Sequence, residues 1–224
     1  MCFSATASFV AGSALSVLGI ATLRATRRRA ETAFAAVPLL FGIQQMVEGA
    51  LWLSFRFDAP QLKVASTYLF SLFSHVLWPI YIPFAIGLLE TVPWRRRVIR
   101  SFQAIGLGVG SYLLYNLVEL PVTAVAAPNI VYVSPHFFQV PVMSLYLAAT
   151  CVSCFFSSWA IVRLFGALAL ALFLLAYGFF TVALISVWCF FAAVLSLIIY
   201  MHFTVTRSAV RFRASKPDAH SGRT

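Results

Sequence analysis

The sequence has few charged residues. Asp, Glu, Lys and Arg make up 10% of the 224 residues, and six of these are acidic, whereas 62% of the chain is apolar. The mean hydropathy is +0.92. A water-soluble globular protein needs more polar surface than this composition provides. The composition therefore excludes a soluble domain as the main body of the chain, and it predicts the lipid bilayer as its surroundings.

Cysteine is also scarce, and the four cysteines are Cys2, Cys151, Cys154 and Cys189. They are too few, and too deeply set in apolar sequence, for the disulfide framework of a secreted protein. Cys151 and Cys154 form a C-x-x-C within a predicted helix, where two small apolar residues are a commoner explanation than a redox pair. In a cleavable signal peptide, a positive cluster precedes the apolar run. Here the positive cluster near the N-terminus follows the first apolar run. We expect this run to remain as the first span.

The basic residues lie in short clusters between apolar runs. The 16 Lys and Arg residues give a formal net charge of +10. No separate polar segment carries them as a binding face, so we expect no nucleic-acid partner. The clusters indicate the membrane topology instead.

Seven apolar stretches follow one another along the chain. A hydrocarbon core of about 30 Å needs roughly 20 apolar helical residues to cross it. The predicted spans are 4–23, 32–53, 64–90, 98–122, 139–157, 160–182 and 184–205. The last two require a turn near 182–186, because the run from Ala160 to Val205 is too long for one helix. The sequence therefore predicts an all-α, polytopic bundle of seven transmembrane helices.

Orientation follows from the Lys and Arg residues, which are in excess in cytoplasmic loops. With the N-terminus outside, 14 of the 16 basic residues lie inside, and Arg56 and Lys63 lie outside. We therefore predict an outer N-terminus and a cytoplasmic C-terminus. Residues 1–206 form the predicted seven-helix domain, and residues 207–224 form a basic cytoplasmic tail that we expect to be disordered.

Two of the predicted spans carry polar residues on one helix face. Ionisable groups inside a membrane are costly and generally face the bundle interior or a cavity. Gln44, Gln45 and Glu48 are three and four residues apart in the second span, and Ser71 and His75 are four apart in the third. Such residues either hydrogen-bond neighbouring helices or form a functional site.

A third polar face follows in the fourth span, where Tyr112, Asn116 and Glu119 have the same spacing. The ionisable members of the three faces lie at the midplane or in the outer half. We therefore predict one outward-facing intramembrane cavity that binds a small ligand. The predicted ligand-binding residues are Gln44, Gln45, Glu48, Ser71, His75, Tyr112, Asn116 and Glu119.

Two further residues enter from the same predicted side, Cys2 at the N-terminus and His136 in the loop after the fourth span. Thiolate, imidazole and carboxylate groups bind transition metals. Cys2, Glu48, His75 and His136 are therefore a predicted metal-binding set. Zinc or copper is the ion that this set would hold.

The spacing Ser71-x-x-x-His75 resembles one motif of the alkaline ceramidase and progestin-receptor superfamily, whose members have seven spans and depend on zinc. That resemblance implies a membrane-embedded hydrolase. The late-span His-x-x-x-His of the superfamily is absent, since the last span contains His202 alone. A retinal protein is excluded because Lys63 and Lys216, the two lysines, lie outside the spans.

The opening Met1-Cys-Phe-Ser-Ala5 and the segment from Pro38 to Trp52 (PLLFGIQQMVEGALW) resemble an uncharacterised bacterial membrane-protein family, a domain of unknown function. The resemblance covers nearly the whole chain and implies a multi-pass protein of the bacterial inner membrane. It supplies no activity.

Two function classes are left open. In the first, the outward-facing cavity binds a small ligand or metal ion in a sensor or carrier. In the second, it is the site of a metal-dependent hydrolase. A protein partner or a homo-oligomer is compatible with either class.

Overall fold

A computed structural model describes residues 4–126, 129–134, 137, 139–180 and 183–214 of the chain, and for residues 206–214 it describes the backbone alone. The described residues are mainly helical. The helices are α1 (Ala5–Ala25), α2 (Arg29–Ala35), α3 (Val37–Arg56), α4 (Pro60–Ser71), α5 (Trp78–Leu89), α6 (Pro93–Glu119), α7 (Val140–Leu147), α8 (Ser153–Phe155), α9 (Ala160–Phe179), α10 (Leu184–Leu195) and α11 (Leu197–Ala214). Two π-helical turns, Leu72–Leu77 and Ala148–Val152, join α4 to α5 and α7 to α8.

Seven helical segments correspond to the seven predicted spans, since the pairs α2–α3, α4–α5, α7–α8 and α10–α11 each occupy one of them. Among the described residues, five segments are long and apolar enough to cross a membrane. These are Ala5–Ala25, Arg29–Arg56, Pro60–Leu89, Ala160–Phe179 and Leu184–Val205. Val140–Phe155 is a shorter apolar helix, and α6 begins with an arginine-rich turn. The helical architecture is confirmed, while the number of crossings and their orientation stay predictions.

Helices α1 and α3 pack closely through small residues. A Cβ atom added to Gly19 would lie 2.4 Å from the backbone nitrogen of Leu39, and one added to Gly12 would lie 3.0 Å from the carbonyl oxygen of Gly42. Gly49 is in similar contact with the ring of Phe9. Small residues permit this close approach of two backbones within a membrane.

Helices α5 and α6 meet at a position set by proline. Pro83 has no N–H to donate to the carbonyl of Pro79, four residues earlier in α5. Gly106 of α6 packs against that carbonyl, where an added Cβ would lie 1.9 Å from the oxygen. One turn further, the side-chain nitrogen of Gln103 donates to the carbonyl of Pro83 at 3.1 Å. The two prolines therefore determine which residues of α6 face α5.

A β-hairpin lies between α6 and α7, where the sequence predicts a loop. Strands β1 (Thr123–Ala126) and β2 (Ile130–Val133) are antiparallel, with Thr123 opposite Val133. Its residues Ala124 and Tyr132 are buried, and the ring of Tyr132 stacks on Phe70 of α4 with centroids 4.4 Å apart. The hairpin thus covers one end of the bundle.

Near the C-terminus, α11 continues to Ala214, past the predicted domain boundary at residue 206. Residues 215–224 of the predicted tail lie outside the described part of the chain.

Candidate functional site

An open cavity of about 250 Å³ lies beside the hairpin, between the first π-helical turn and the end of α6. Its polar lining residues are His75, Asn116 and Ser134. Its other lining residues are apolar: Leu113, Leu117, Leu120, Pro121, Val122 and Val133. The structure therefore brings two predicted site residues, His75 and Asn116, to one cavity.

The His75 ring is buried and held on both sides. Its Nδ1 atom is 2.7 Å from the hydroxyl of Ser74, and its Nε2 atom is 3.1 Å from the hydroxyl of Ser134. The Ser74 hydroxyl also donates to the carbonyl of Ser71 at 3.3 Å. A hydroxyl has a single proton, so we infer that Ser74 accepts from Nδ1–H and that Nε2 accepts from Ser134. Nε2, the nitrogen without a proton, is then on the side of the ring next to Ser134, which lines the cavity.

Local backbone structure positions this histidine. His75 lies within the π-helical turn Leu72–Leu77, and such turns in helices are frequent at functional sites. The hydroxyl of Tyr146, from α7, donates to the backbone carbonyl of Ser74. Phe137 packs against the imidazole with ring centroids 4.9 Å apart. The turn, α7 and the segment after the hairpin together fix the ring orientation.

The second-span residues lie elsewhere, inside the bundle. Glu48 accepts a hydrogen bond at 2.6 Å from the hydroxyl of Ser186 in α10. Gln44 accepts one at 2.8 Å from the indole nitrogen of Trp78, whose ring stacks on Phe41 with centroids 4.0 Å apart. Both Gln44 and Glu48 are fully buried and do not line the His75 cavity. The structure therefore divides the predicted single site into two clusters.

Gln45 and Ser71 are also fully buried, on α3 and α4. Within the described chain, neither polar atom of the Gln45 side chain has a hydrogen-bond partner, and the same is true of the Ser71 hydroxyl. The two residues lie equally far from the ends of the α3–α4 hairpin at Arg56 and Pro60, about 16 Å along each helix. They are therefore at similar depth, and neither lines the His75 cavity.

The predicted polar face of α6 is split. Tyr112 is 39% exposed, and Glu119 is exposed as well. Asn116 lines the cavity, and its side-chain nitrogen donates to the carbonyl of Tyr112 at 2.8 Å. The buried face of α6 contains Leu113 and Leu117 instead. Tyr112 and Glu119 therefore lie outside the cavity.

A metal centre has no support from the described residues. No group of three or more His, Cys, Asp or Glu side chains among them could hold an ion. Of the predicted set, Cys2 and His136 lie outside the described part, while Glu48 and His75 have different partners. The predicted zinc or copper site stays a prediction, and the hydrolase alternative gains no support.

Sequence reasoning missed the residues that hold the two clusters. Ser134 follows β2, Tyr146 lies in α7, and Ser186 lies in α10. Ser186 is the single serine of the apolar helix α10, and this isolated hydroxyl could have identified it from the sequence. Cys151 and Cys189 line a small cavity of about 30 Å³ with Trp78, and these cysteines are free thiols.

Comparison with known proteins gives a family without an activity. Residues 1–215 match the model of a family of unknown function, DUF6629. No curated protein and no solved structure matches the chain. The prediction of an uncharacterised family is confirmed. The chain therefore belongs to the family of unknown function DUF6629.

Proposed function

We propose that the chain is a multi-pass protein of the bacterial inner membrane that binds a small ligand in the His75 cavity, as a sensor or carrier. The observation that carries this proposal is the His75 ring, which is held by two serines with Nε2 at the wall of a cavity of about 250 Å³. Small-molecule sites typically combine an apolar lining with a few placed polar groups. The His75 cavity has that composition.

The lining favours an amphiphilic ligand. The Ser134 hydroxyl oxygen and the Asn116 amide provide hydrogen-bonding groups at one side, and Nε2 of His75 orients the Ser134 hydroxyl. Leu113 and Leu117 are among the apolar residues that would contact the rest of the ligand. A short-chain alcohol or fatty acid, with one polar head and an apolar body, has this chemistry.

The five long apolar segments support the membrane location. The distribution of arginines supports a cavity that opens toward the outside. Arg95, Arg96, Arg97 and Arg100 lie at the start of α6, and the cavity lies at its other end, near Leu120. Basic residues favour the cytoplasmic side. The cavity end of α6 would then be the outer end.

Cysteine labelling tests the opening. Ser134→Cys places a thiol in the cavity lining, whereas Ser74→Cys places one on the other side of the same imidazole, outside the lining. Because Cys2 is predicted on the outer side, both variants and their control carry Cys2→Ala. A membrane-impermeant methanethiosulfonate reagent added to intact cells should label Ser134→Cys in this background and leave Ser74→Cys and the background protein unlabelled. Labelling only after the membrane is opened, or equal labelling of both variants, would contradict an outward-facing cavity.

Thermal unfolding tests the ligand. A series of short-chain alcohols and fatty acids should stabilise the purified protein, because a ligand that binds only the folded state raises its stability. Asn116→Leu should weaken this stabilisation. Tyr115→Leu is the control, since Tyr115 is 64% exposed on the same helix. If no member of the series stabilises the protein, the proposed ligand class is wrong.

A further inference from the structure

A second open cavity, of about 310 Å³, lies at the end of the bundle predicted to be cytoplasmic. Its lining residues are Ala25, Arg27, Arg28, Glu31, Trp159, His202 and Phe203. Helix α1 ends at Ala25, and α9 begins at Ala160. The last candidate span ends at Val205. The cavity is therefore level with the boundary of the apolar segments.

Glu31, the acidic residue in the lining, already has its charge compensated. Its carboxylate is 2.8 Å from Nε of Arg28. It also accepts the backbone N–H groups of Arg27 at 2.9 Å and Arg28 at 3.3 Å. Its side chain is 10% exposed. Glu31 therefore orders the two arginines and does not present a free negative charge to the cavity.

Arg27 supplies the remaining positive charge. Within the described chain, its guanidinium has no hydrogen bond or ion pair, and it is the backbone nitrogen of Arg27 that donates to Glu31. Arg28 lies over the ring of Trp159 at 5.4 Å, which fixes its guanidinium at the cavity wall. The cavity thus holds one paired and one available guanidinium, next to the apolar Ala25 and Phe203.

We propose that this cavity binds a phosphate group. Guanidinium groups pair with phosphate oxygens through parallel, charge-assisted hydrogen bonds. The phosphates of phospholipids lie at the boundary between hydrocarbon and water, the level of this cavity, and aromatic rings such as that of Trp159 are common there. The same chemistry accepts phosphate from a lipid headgroup or from a dissolved anion. This site is independent of the His75 cavity.

The test compares ligands that differ in their phosphate. Detergent-purified protein is titrated with dioleoylphosphatidylglycerol, and with dioleoylglycerol, which has the same acyl chains without the phosphate. Bound lipid is counted by native mass spectrometry. Inorganic phosphate is tested by thermal unfolding against chloride at equal ionic strength. Preference for the phospholipid identifies a lipid headgroup site, and stabilisation by inorganic phosphate alone identifies a site for a dissolved anion.

Arg27→Gln and Arg29→Gln are the matched variants. Arg27→Gln retains the backbone N–H that Glu31 accepts, so the local turn should persist. Arg29 is an exposed arginine of the same cluster that does not line the cavity. We expect Arg27→Gln to bind phosphate about tenfold more weakly and Arg29→Gln to bind it normally. Equal binding of both lipids without an effect of inorganic phosphate, or equal loss in the two variants, would overturn the proposal.

Discussion

Two polar side chains inside this apolar bundle, Glu48 and His75, have hydrogen-bond partners on segments that are distant in sequence. Glu48 contacts Ser186 at a separation of 138 residues, and His75 contacts Ser134 at a separation of 59. A buried polar group is costly unless a partner satisfies it. These contacts therefore stabilise one particular packing of the helices.

Substitution of Ser186 tests the Glu48 contact. Ser186→Ala removes the donor at 2.6 Å from a fully buried carboxyl, and should lower the free energy of unfolding by about 1–3 kcal/mol. Ser196→Ala is the control, because Ser196 is equally buried but its hydroxyl donates to Ala193 in its own chain segment. Denaturation in detergent measures both variants. A larger loss for Ser196→Ala would contradict a stabilising Glu48–Ser186 bond.

At the scale of helices, backbone contact between α5 and α6 decides which face of α6 is buried. Gly106 lies against the Pro79 carbonyl, while Gly108, two residues later, has open space where a Cβ would be. Substitution of each of these two glycines therefore distinguishes the effect of close helix packing from the general effect of glycine on helix stability.

Gly106→Ala should destabilise the protein by about 1–3 kcal/mol, because the new methyl group forces the helices apart. Gly108→Ala should be neutral, or stabilising by up to about 1 kcal/mol, since alanine favours helix. Thermal unfolding of the two variants in the same detergent measures the difference. Equal stability of the two variants would show that α5 and α6 are not in this contact.

The carboxylate of Glu90 joins the α5–α6 connection to the α8–α9 connection, at the end of the bundle opposite the hairpin. Glu90, at the end of α5, accepts hydrogen bonds from the backbone N–H of Val92 at 2.9 Å and of Ser158 at 2.6 Å, and from the Ser158 hydroxyl at 2.8 Å. Burial alone would raise the pKa of Glu90, but the hydrogen bonds together outweigh burial. The pKa of Glu90 therefore lies below its ordinary value of 4.5. Arg95 and Arg163 donate to the Ser157 carbonyl in the same connection.

The lowered pKa predicts a stability that depends on pH. The carboxylate contributes fully above pH 4.5, and its contribution is lost as the pH falls through the lower folded-state pKa. Glu90→Gln should therefore lower the free energy of unfolding by about 1–3 kcal/mol at neutral pH, and this difference should shrink in acid.

The measurement is unfolding of both proteins from neutral to acidic pH. The exposed Glu119 provides the control, Glu119→Gln, which should follow the unmodified protein throughout. A Glu90→Gln difference that stays constant down to strong acid would contradict the role of the charge.

At the scale of the whole molecule, charge and apolar length act together. Five of the described segments are long and apolar enough to cross a membrane, and the arginine clusters lie at the connections on one side of the predicted topology. A topology with an odd number of crossings places the C-terminal end of α11 on the side opposite the N-terminus.

Reporter fusions test this orientation. Green fluorescent protein fused after Thr224 should be fluorescent in bacterial cells, and alkaline phosphatase at the same point should be inactive, because the C-terminus is predicted to be cytoplasmic. A fusion of the same reporters to a protein with a known outer C-terminus is the control. Active phosphatase at this position would contradict the predicted orientation and the outward opening of the His75 cavity.

The long apolar helical segments and the identity of several buried polar residues could be predicted from sequence, because apolar run length and helical spacing are local properties. Helical spacing shows which residues share a face but not which face packs inward. Tyr112 and Glu119 were therefore predicted to face the interior and lie on the exposed side of α6. Tertiary packing decided that His75 meets Ser134 while Glu48 meets Ser186, since contacts between segments that are distant in sequence depend on the whole bundle.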